Sequence, residues 1–364
     1  MTKSVIVRTT SSNYEVIIDK FLLENYNFQW LAENKQILIV KDSQVPEKFL
    51  KSLKENLEQL NPLKLISIEI KTNEETKSIE GIQPIYEILN RNKFNRDCVI
   101  ISLGGGITTD MTGFVASSYL RGVSLIQIPS TLLAQVDAAI GGKTGINFQG
   151  VKNNIGAFYQ PSLVLIDVNL LSSLGKNEIS EGLAEIIKHS LIADKSLFFQ
   201  LEQKINNGAI ENDTDLIKII YESSLIKSSI VSNDEKELGD RALLNFGHTY
   251  GHAFESSMSL KGFSHGQAVG LGMICASKLS MLLGNIEAEE FERIKNVIQA
   301  AGLPNKLPDD FNYSEFKEAM SRDKKILSNK LRFITLNSIG RAQISENIDE
   351  NTLLESLKTV SYTH

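Results

Sequence analysis

Val99-Ile100-Ile101-Ser102-Leu103-Gly104-Gly105-Gly106-Ile107-Thr108-Thr109-Asp110-Met111-Thr112-Gly113-Phe114 is the stretch that decides the fold class. A short β-branched run enters three glycines, and N-cap residues then lead into an apolar helical pattern. Strand, glycine turn and helix start in this order turn backbone N–H groups and a helix dipole toward a ligand, the arrangement that holds a phosphate. The spacing points to a nucleotide pyrophosphate site. The strict G-x-G-x-x-G pattern fails, since Thr109 stands where its third glycine belongs.

Outward from this stretch, similar apolar runs lie at residues 4–7, 37–40 and 65–68 before it, and at 125–128 and 163–166 after it. Helical patterns at 47–60 and 79–92 separate the earlier ones. Short strands alternating with helices are the signature of βαβ units on a mostly parallel sheet, which binds ligands beyond the C-terminal ends of its strands. After about residue 175 strand-like runs give way to long helical periodicities at 178–193, 215–234, 247–258, 266–283 and 288–301. A hairpin over 331–340 and a last helix from Asp349 complete the chain. The expectation is an α/β protein with a parallel-sheet domain over residues 1–175 and a mainly α-helical domain over 176–364.

Composition bounds the function. Of 364 residues, 42% are hydrophobic and 23% charged, as in an ordinary folded protein. A net charge of −6 gives no basic field for a polyanion, so nucleic acid is an unexpected partner. The N-terminus has no apolar core followed by a cleavage site, and no apolar run approaches membrane-spanning length, so a cytoplasmic protein without a membrane partner is expected. Cys98 and Cys275, far apart and in apolar surroundings, read as buried free thiols.

Gly141-Gly142-Lys143-Thr144 looks like the end of a Walker A loop, but Asp137 occupies the first glycine position and no strand immediately precedes it. A P-loop enzyme is therefore excluded. Lys143 remains on a glycine turn, followed nine residues later by Lys152 and Asn153; such a set can clamp an anionic substrate, against the plainer alternative of surface lysines. His248, His252 and His265, three of only five histidines, fall within 18 residues. His248 and His252 share one helical face, and imidazoles so placed can bind a divalent metal when an acid completes the set. Glu181, Glu185 and Glu255 are candidates for that acid, and spacing alone neither chooses among them nor decides whether His252 is a ligand or a proton carrier.

A nucleotide-type glycine loop, an anion clamp and a His/Glu cluster together resemble the 3-dehydroquinate synthases, a family of sugar phosphate cyclases. The resemblance is carried by LGGGITTDMTGF (103–114), YLRGV (119–123), STLLAQVDAAIGGKTGIN (130–147), KNNIGAFYQP (152–161), GLAEIIKH (182–189), RALLNFGHTYGHAFE (241–255), SHGQAVGLGM (264–273) and RDKK (322–325). It implies a Rossmann-like N-terminal domain, a helical C-terminal domain and a homodimer in which Arg121 reaches a neighbouring subunit's site. It also implies zinc, with cobalt as the alternative ion, on Glu185, His248 and His265. NAD contacts carry over to Asp42, Gln44, Glu74, Lys77, Gly105, Gly106, Ile107, Thr108, Thr109, Asp110, Ser130, Thr131, Leu170, Leu171, Ser172 and Ser173, with Lys143 and Lys152 shared between NAD and substrate. Catalytic roles fall on Asp137, Lys188, Lys227, Arg241, Asn245 and His252, and further substrate contacts on Asn153, Lys324 and Lys325.

Thr109, Gln44, Asn73 and Ser130 depart from the family pattern, which has glycine, asparagine, glycine and threonine there; all four lie on the cofactor side. The implied activity converts 3-deoxy-D-arabino-heptulosonate 7-phosphate to 3-dehydroquinate and phosphate by transient oxidation, β-elimination, reduction and aldol closure. Competing readings are a cyclase acting on another sugar phosphate, a glycerol dehydrogenase-type polyol dehydrogenase, which would leave the cationic set idle, and a silent NAD- or metal-binding regulator.

Overall fold

The computed structural model describes residues 2–31, 35–206, 213–258, 263–308, 311, 316, 318 and 332–360. The chain divides into two compact units, one of residues 1–175 with 216–236 and one of residues 176–215 with 237–364.

The first unit is built on a seven-stranded sheet. Its strands are β1 (Lys3–Arg8), β2 (Asn13–Asp19), β3 (Gln36–Asp42), β4 (Lys64–Ile70), β5 (Val99–Gly104), β6 (Ser124–Pro129) and β9 (Leu163–Asp167), in the order β1-β2-β9-β6-β5-β3-β4. Only β1 and β2 pair antiparallel; all other neighbours are parallel. The continuous apolar runs are explained by burial on both faces. Ile37, Ile39, Val99, Ile101 and Leu103 pack with Phe49, Leu50, Leu53 and Leu57 of α2 (Glu47–Glu58). The alternate residues Leu38, Val40 and Ile100 pack with Ile82, Ile85 and Leu89 of α3 (Ile79–Arg91) and with Met111 and Val115 of α4 (Gly106–Ser118).

From β3 the chain reaches edge strand β4 and then crosses back to β5 on the other side of β3. This reversal of strand order opens a crevice at the C-terminal ends of β3 and β5, the position where open α/β sheets bind ligands. The sequence reading passed over β2 and the hairpin of β7 (Lys143–Phe148) and β8 (Val151–Phe158). β7 and β8 carry glycines, asparagines and lysines in place of an apolar alternation, so their strand character comes from pairing with each other.

In the second unit, α9 (His265–Leu282) is apolar on nearly every side and is buried along its length, as expected of a helix at the centre of a domain. Around it lie α5 (Lys176–Ala193), α8 (His248–Met258), α10 (Ala288–Ala300), α11 (Glu350–Lys358) and the hairpin of β10 (Phe333–Ser338) and β11 (Arg341–Ser345). α6 (Lys195–Asn206) packs on α5 and α10. The remaining long helix, α7 (Asp213–Asn233), belongs to the first unit from Leu216 onward. No helix among the described residues is long and apolar enough to cross a membrane. Cys98 and Cys275 are free and buried, and burial pushes both thiols up, Cys98 to about 11.

Candidate active site

In the first unit the glycine loop and Asp42 meet at the sheet reversal. β5 ends at Gly104, Gly105 is the N-cap residue of α4, and the helix starts at Gly106, so its first N–H groups face outward from the sheet. A Cβ on Gly105 would stand 3.3 Å from the Thr131 methyl, and Ser130 N–H donates to Gly104 O at 2.9 Å. Asp42, buried at the end of β3, accepts hydrogen bonds from the Thr72 hydroxyl, from Thr108 Oγ1 at 3.1 Å and from Gln44 N–H at 2.9 Å.

The four positions that depart from the family pattern serve this framework. Besides Ser130 and Gln44, Thr109 turns its hydroxyl back to Gly106 O at 2.8 Å, and Asn73 Oδ1 accepts from Thr76 N–H at 2.8 Å to close the 73–76 turn. Leu170 and Leu171 are core residues, while the Ser172 and Ser173 hydroxyls bond to carbonyls of their own 3-10 turn after β9.

Two ion pairs of the same unit join residues implied in the site. Lys77 Nζ reaches Asp110 Oδ2 at 2.5 Å and Asn153 Oδ1 at 2.6 Å, and Lys227 on α7 donates to the Asp137 carboxylate and carbonyl. Burial pushes the Asp110 carboxyl up; Lys77 and Lys227 oppose that shift and Asp137 adds to it, so the four charges share one field. Lys143, Lys152 and Asn153 are exposed on the β7–β8 hairpin, and Asn153 has φ +52°. Leu120, Arg121 and Gly122 all have positive φ, and Leu120 is 44% exposed.

In the second unit Glu185, His248 and His265 offer ligand atoms that all lie within 4.8 Å of one another. His248 Nε2 and His265 Nε2 stand 3.7 and 3.8 Å from Glu185 Oε1, while Lys188 Nζ pairs with Oε2. Glycines make the meeting possible. A Cβ on Gly272 of α9 would overlap the carbonyl oxygen of Gly247, and one on Gly251 of α8 would stand 3.3 Å from the Ala268 backbone. A Cβ on Gly266 would run into the backbone of Glu181, so the start of α9 lies directly on α5. His248, His265 and Glu185 are thereby held on three close-packed helices.

The electrostatics of this cluster suit a cation. Glu185 is completely buried; Lys188 engages its Oε2, and Oε1, the oxygen that faces the two imidazoles, has no hydrogen-bond partner. Buried carboxylates normally accept several hydrogen bonds, and such an orphan marks the place of an ion. Burial, with Lys188, His265 and His252 nearby, holds His248 well below the usual imidazole range, so it is neutral. Its Nδ1 lies 3.2 Å from Phe246 O, which leaves the Nε2 lone pair facing Glu185. For His265 burial alone would lower the pKa, but the hydrogen bond from Nδ1 to Glu255 at 2.7 Å and the charges of Glu185 and Glu255 raise it. Glu255 thus orients the ring as carboxylates orient metal-bound histidines. Carboxylate oxygen and two imidazole nitrogens are a donor set that fits zinc or a similar divalent ion, with a position left open.

His252 is exposed, edge-on to His248 at 5.5 Å between ring centroids, and is not in the three-residue group. Glu181 is half-buried and also outside it. Arg241 is buried in the 3-10 turn Asp240–Asn245, and Asn245 Nδ2 donates to Glu237 Oε1 at 2.9 Å. The sequence reading passed over Glu237, which accepts this bond and has φ +58°; no motif in the sequence marks it. Lys324 and Lys325 lie outside the described residues.

Profiles of the N-terminal and C-terminal parts of 3-dehydroquinate synthase match residues 67–181 and 182–326. The chain is 40% identical over 332 residues to the 3-dehydroquinate synthase of Acinetobacter baylyi, with 91% of each chain covered. Among solved structures, 2-epi-5-epi-valiolone synthase of Streptomyces hygroscopicus, with NAD+ and Zn2+ bound, superposes with a TM-score of 0.87 at 25% identity, covering 95% of this chain and 96% of that one. A 2-deoxy-scyllo-inosose synthase complexed with carbaglucose-6-phosphate, NAD+ and Co2+ shares the fold, with a TM-score of 0.88 at 23% identity over 98% of this chain and 99% of the other.

Proposed function

The chain belongs to the 3-dehydroquinate synthase family, and from that premise we propose that it converts 3-deoxy-D-arabino-heptulosonate 7-phosphate to 3-dehydroquinate and inorganic phosphate with NAD and zinc, or cobalt, as cofactors. The observation that carries the reading is the buried Glu185 carboxylate, whose Oε1 has no hydrogen-bond partner and faces His248 and His265. Zinc bound there supplies Lewis acidity toward a hydroxyl or carbonyl oxygen, and NAD supplies a reversible hydride acceptor.

The chain's own residues bind and orient. The N–H groups of Gly105, Gly106 and Ile107 at the start of α4 receive the pyrophosphate and Asp42 and Glu74 the hydroxyls of the nucleoside, with Ser130 and Thr131 beside Gly104 and Gly105. Lys143, Lys152, Asn153 and Arg241, with Lys324 and Lys325, pair with the carboxylate and phosphate of the substrate through charge-assisted hydrogen bonds. Lys188 pairs with the Glu185 carboxylate. His252 and Asn245 contact the substrate, and Lys227 fixes Asp137 at the reacting end. In this reading residues 1–175 are the NAD-binding part and 176–364 the metal- and substrate-binding part. We also infer a cytoplasmic homodimer in which Arg121 serves the partner's site; an exposed run of three positive-φ residues, held against its local strain, supports an interaction at that loop.

The test is redox balance. In the proposed reaction the hydride removed from the substrate returns to it, so substoichiometric NAD supports many turnovers of phosphate release with no lasting rise in nicotinamide absorbance. The heptulosonate phosphate should turn over while sedoheptulose 7-phosphate does not. Accumulation of one NADH per substrate oxidised, without phosphate release, would identify a polyol dehydrogenase and overturn the reading.

A further inference from the structure

We propose that Asn147 is a positioning residue that joins the cofactor-side loop of residues 73–77 to the substrate-side strand β8, so that NAD and the substrate anion are held by one framework. The inference rests on the function proposed above. The β7–β8 ladder breaks at this residue: Ile146 lies opposite Ile155, but Phe148 lies opposite Val151. Across this break one residue of β7, Asn147, faces three of β8, Lys152, Asn153 and Asn154, and irregularities of this kind re-aim side chains next to a functional site.

The backbone N–H and both polar ends of the Asn147 side chain are engaged. Its backbone N–H donates to Lys77 O at 2.8 Å. Its Nδ2 donates to Glu74 O at 3.1 Å and to Glu74 Oε2 at 2.9 Å, and its Oδ1 accepts from Asn153 N–H at 2.9 Å. Lys77 Nζ closes the ring on Asn153 Oδ1 and continues to Asp110. Asn153 lies in the left-handed region, which asparagine adopts more readily than other non-glycine residues. Asparagine is the residue type that fits. Aspartate has the acceptor but no donor for Glu74, and glutamine is one methylene too long for both contacts.

The two ends of the side chain therefore do separable work. Nδ2 fixes the Glu74 carboxylate on the NAD side, and Oδ1 fixes the Asn153 backbone on the substrate side. Two variants and calorimetry of NAD binding, with steady-state phosphate release, test this. Asn147→Ala removes both ends and should raise the NAD dissociation constant and the substrate KM about tenfold each, the loss expected of a hydrogen bond to a charged group. Asn147→Asp keeps the volume and the acceptor but sets a second carboxylate against Glu74. It should raise the NAD dissociation constant by at least as much while leaving the substrate KM within about twofold of wild type, since only the cofactor-side contact is lost.

Zinc content should be unchanged in both variants. A purely structural role would lower the melting temperature without this split. Both constants staying at wild-type values in Asn147→Asp, or rising together in it, overturns the inference, and this variant decides the matter if Asn147→Ala fails to fold. A wild-type protein that neither binds NAD nor releases phosphate would overturn the functional reading and this inference with it; an active wild type with unchanged variants overturns this inference alone.

Discussion

Replacing Glu185 by glutamine tests the metal centre most directly. The substitution keeps the volume and one carbonyl oxygen but removes the negative charge from a fully buried position. Outer carboxylates that merely orient a ligand are worth roughly 10–100-fold in metal affinity, so loss of a charged ligand itself should cost at least about a hundredfold. The metal-free protein suffers as well. Lys188, with 2% of its side chain exposed, loses its paired carboxylate, and a buried charge left without its partner destabilises by roughly 3–5 kcal/mol. Zinc per chain after gel filtration, competition with a chromogenic chelator and thermal melts with and without added zinc measure these effects. We expect negligible bound zinc, no phosphate release, and a lower melting temperature that zinc no longer raises. Glu181→Gln should retain zinc, and Glu255→Gln should fall between the two because it keeps an oxygen acceptor for His265 Nδ1 but removes the negative charge behind the ring. A Glu185→Gln protein with one zinc per chain at wild-type affinity would refute the assignment of this residue as a ligand.

Arg241→Ala should lower kcat/KM by on the order of 2 kcal/mol while NAD affinity by calorimetry changes little, whereas Lys152→Ala, at a position shared by both ligands, should weaken both; equal weakening of both ligands in Arg241→Ala counts against a substrate role for that residue. Gly272→Ala places a methyl on the Gly247 carbonyl, so α8 and α9 must separate. A destabilisation of roughly 3 kcal/mol, with weakened zinc binding, is expected in denaturant titration and metal analysis, and a fully stable, zinc-loaded variant contradicts the helix contact. Glu235 accepts from Thr10, from Ser11 twice and from Gln160; against the opposing pull of burial these bonds lower its carboxyl to about 2. A depressed folded-state value gives stability that is present above the unfolded value near 4.5 and is lost as pH falls toward 2. Glu235→Gln should therefore melt lower than wild type at pH 7 and match it near pH 2; a difference that persists to pH 2 contradicts the cause.

Much of this organisation was legible in the chain itself. The run from Val99 to Phe114 reads as strand, glycine turn and helix because backbone preference and apolar pattern are local properties, and β5 and α4 follow it closely. The three-histidine cluster is likewise visible as spacing, since His248 and His252 lie one helical turn apart whatever surrounds them. The lysine-bearing hairpin β7–β8 was not visible as strands, because its stability comes from cross-strand pairing between residues with no apolar alternation.

What spacing left open, and the family resemblance had to supply, was which acid meets the histidines. Glu181, Glu185 and Glu255 are equivalent by spacing, and only packing separates them. Gly247, Gly251, Gly266 and Gly272 let α5, α8 and α9 approach until Glu185 is the carboxylate sealed among the imidazoles, while Glu255 lies behind His265 as its hydrogen-bond acceptor. The pairings of Lys77 with Asp110 and Asn153, and of Lys227 with Asp137, join residues 33, 76 and 90 positions apart. Local propensity carries no information over such distances. They are decided by the strand order of the sheet and by the return of α7 to the first unit, because a hydrogen bond needs its partners within about 3 Å and only the folded chain brings them there.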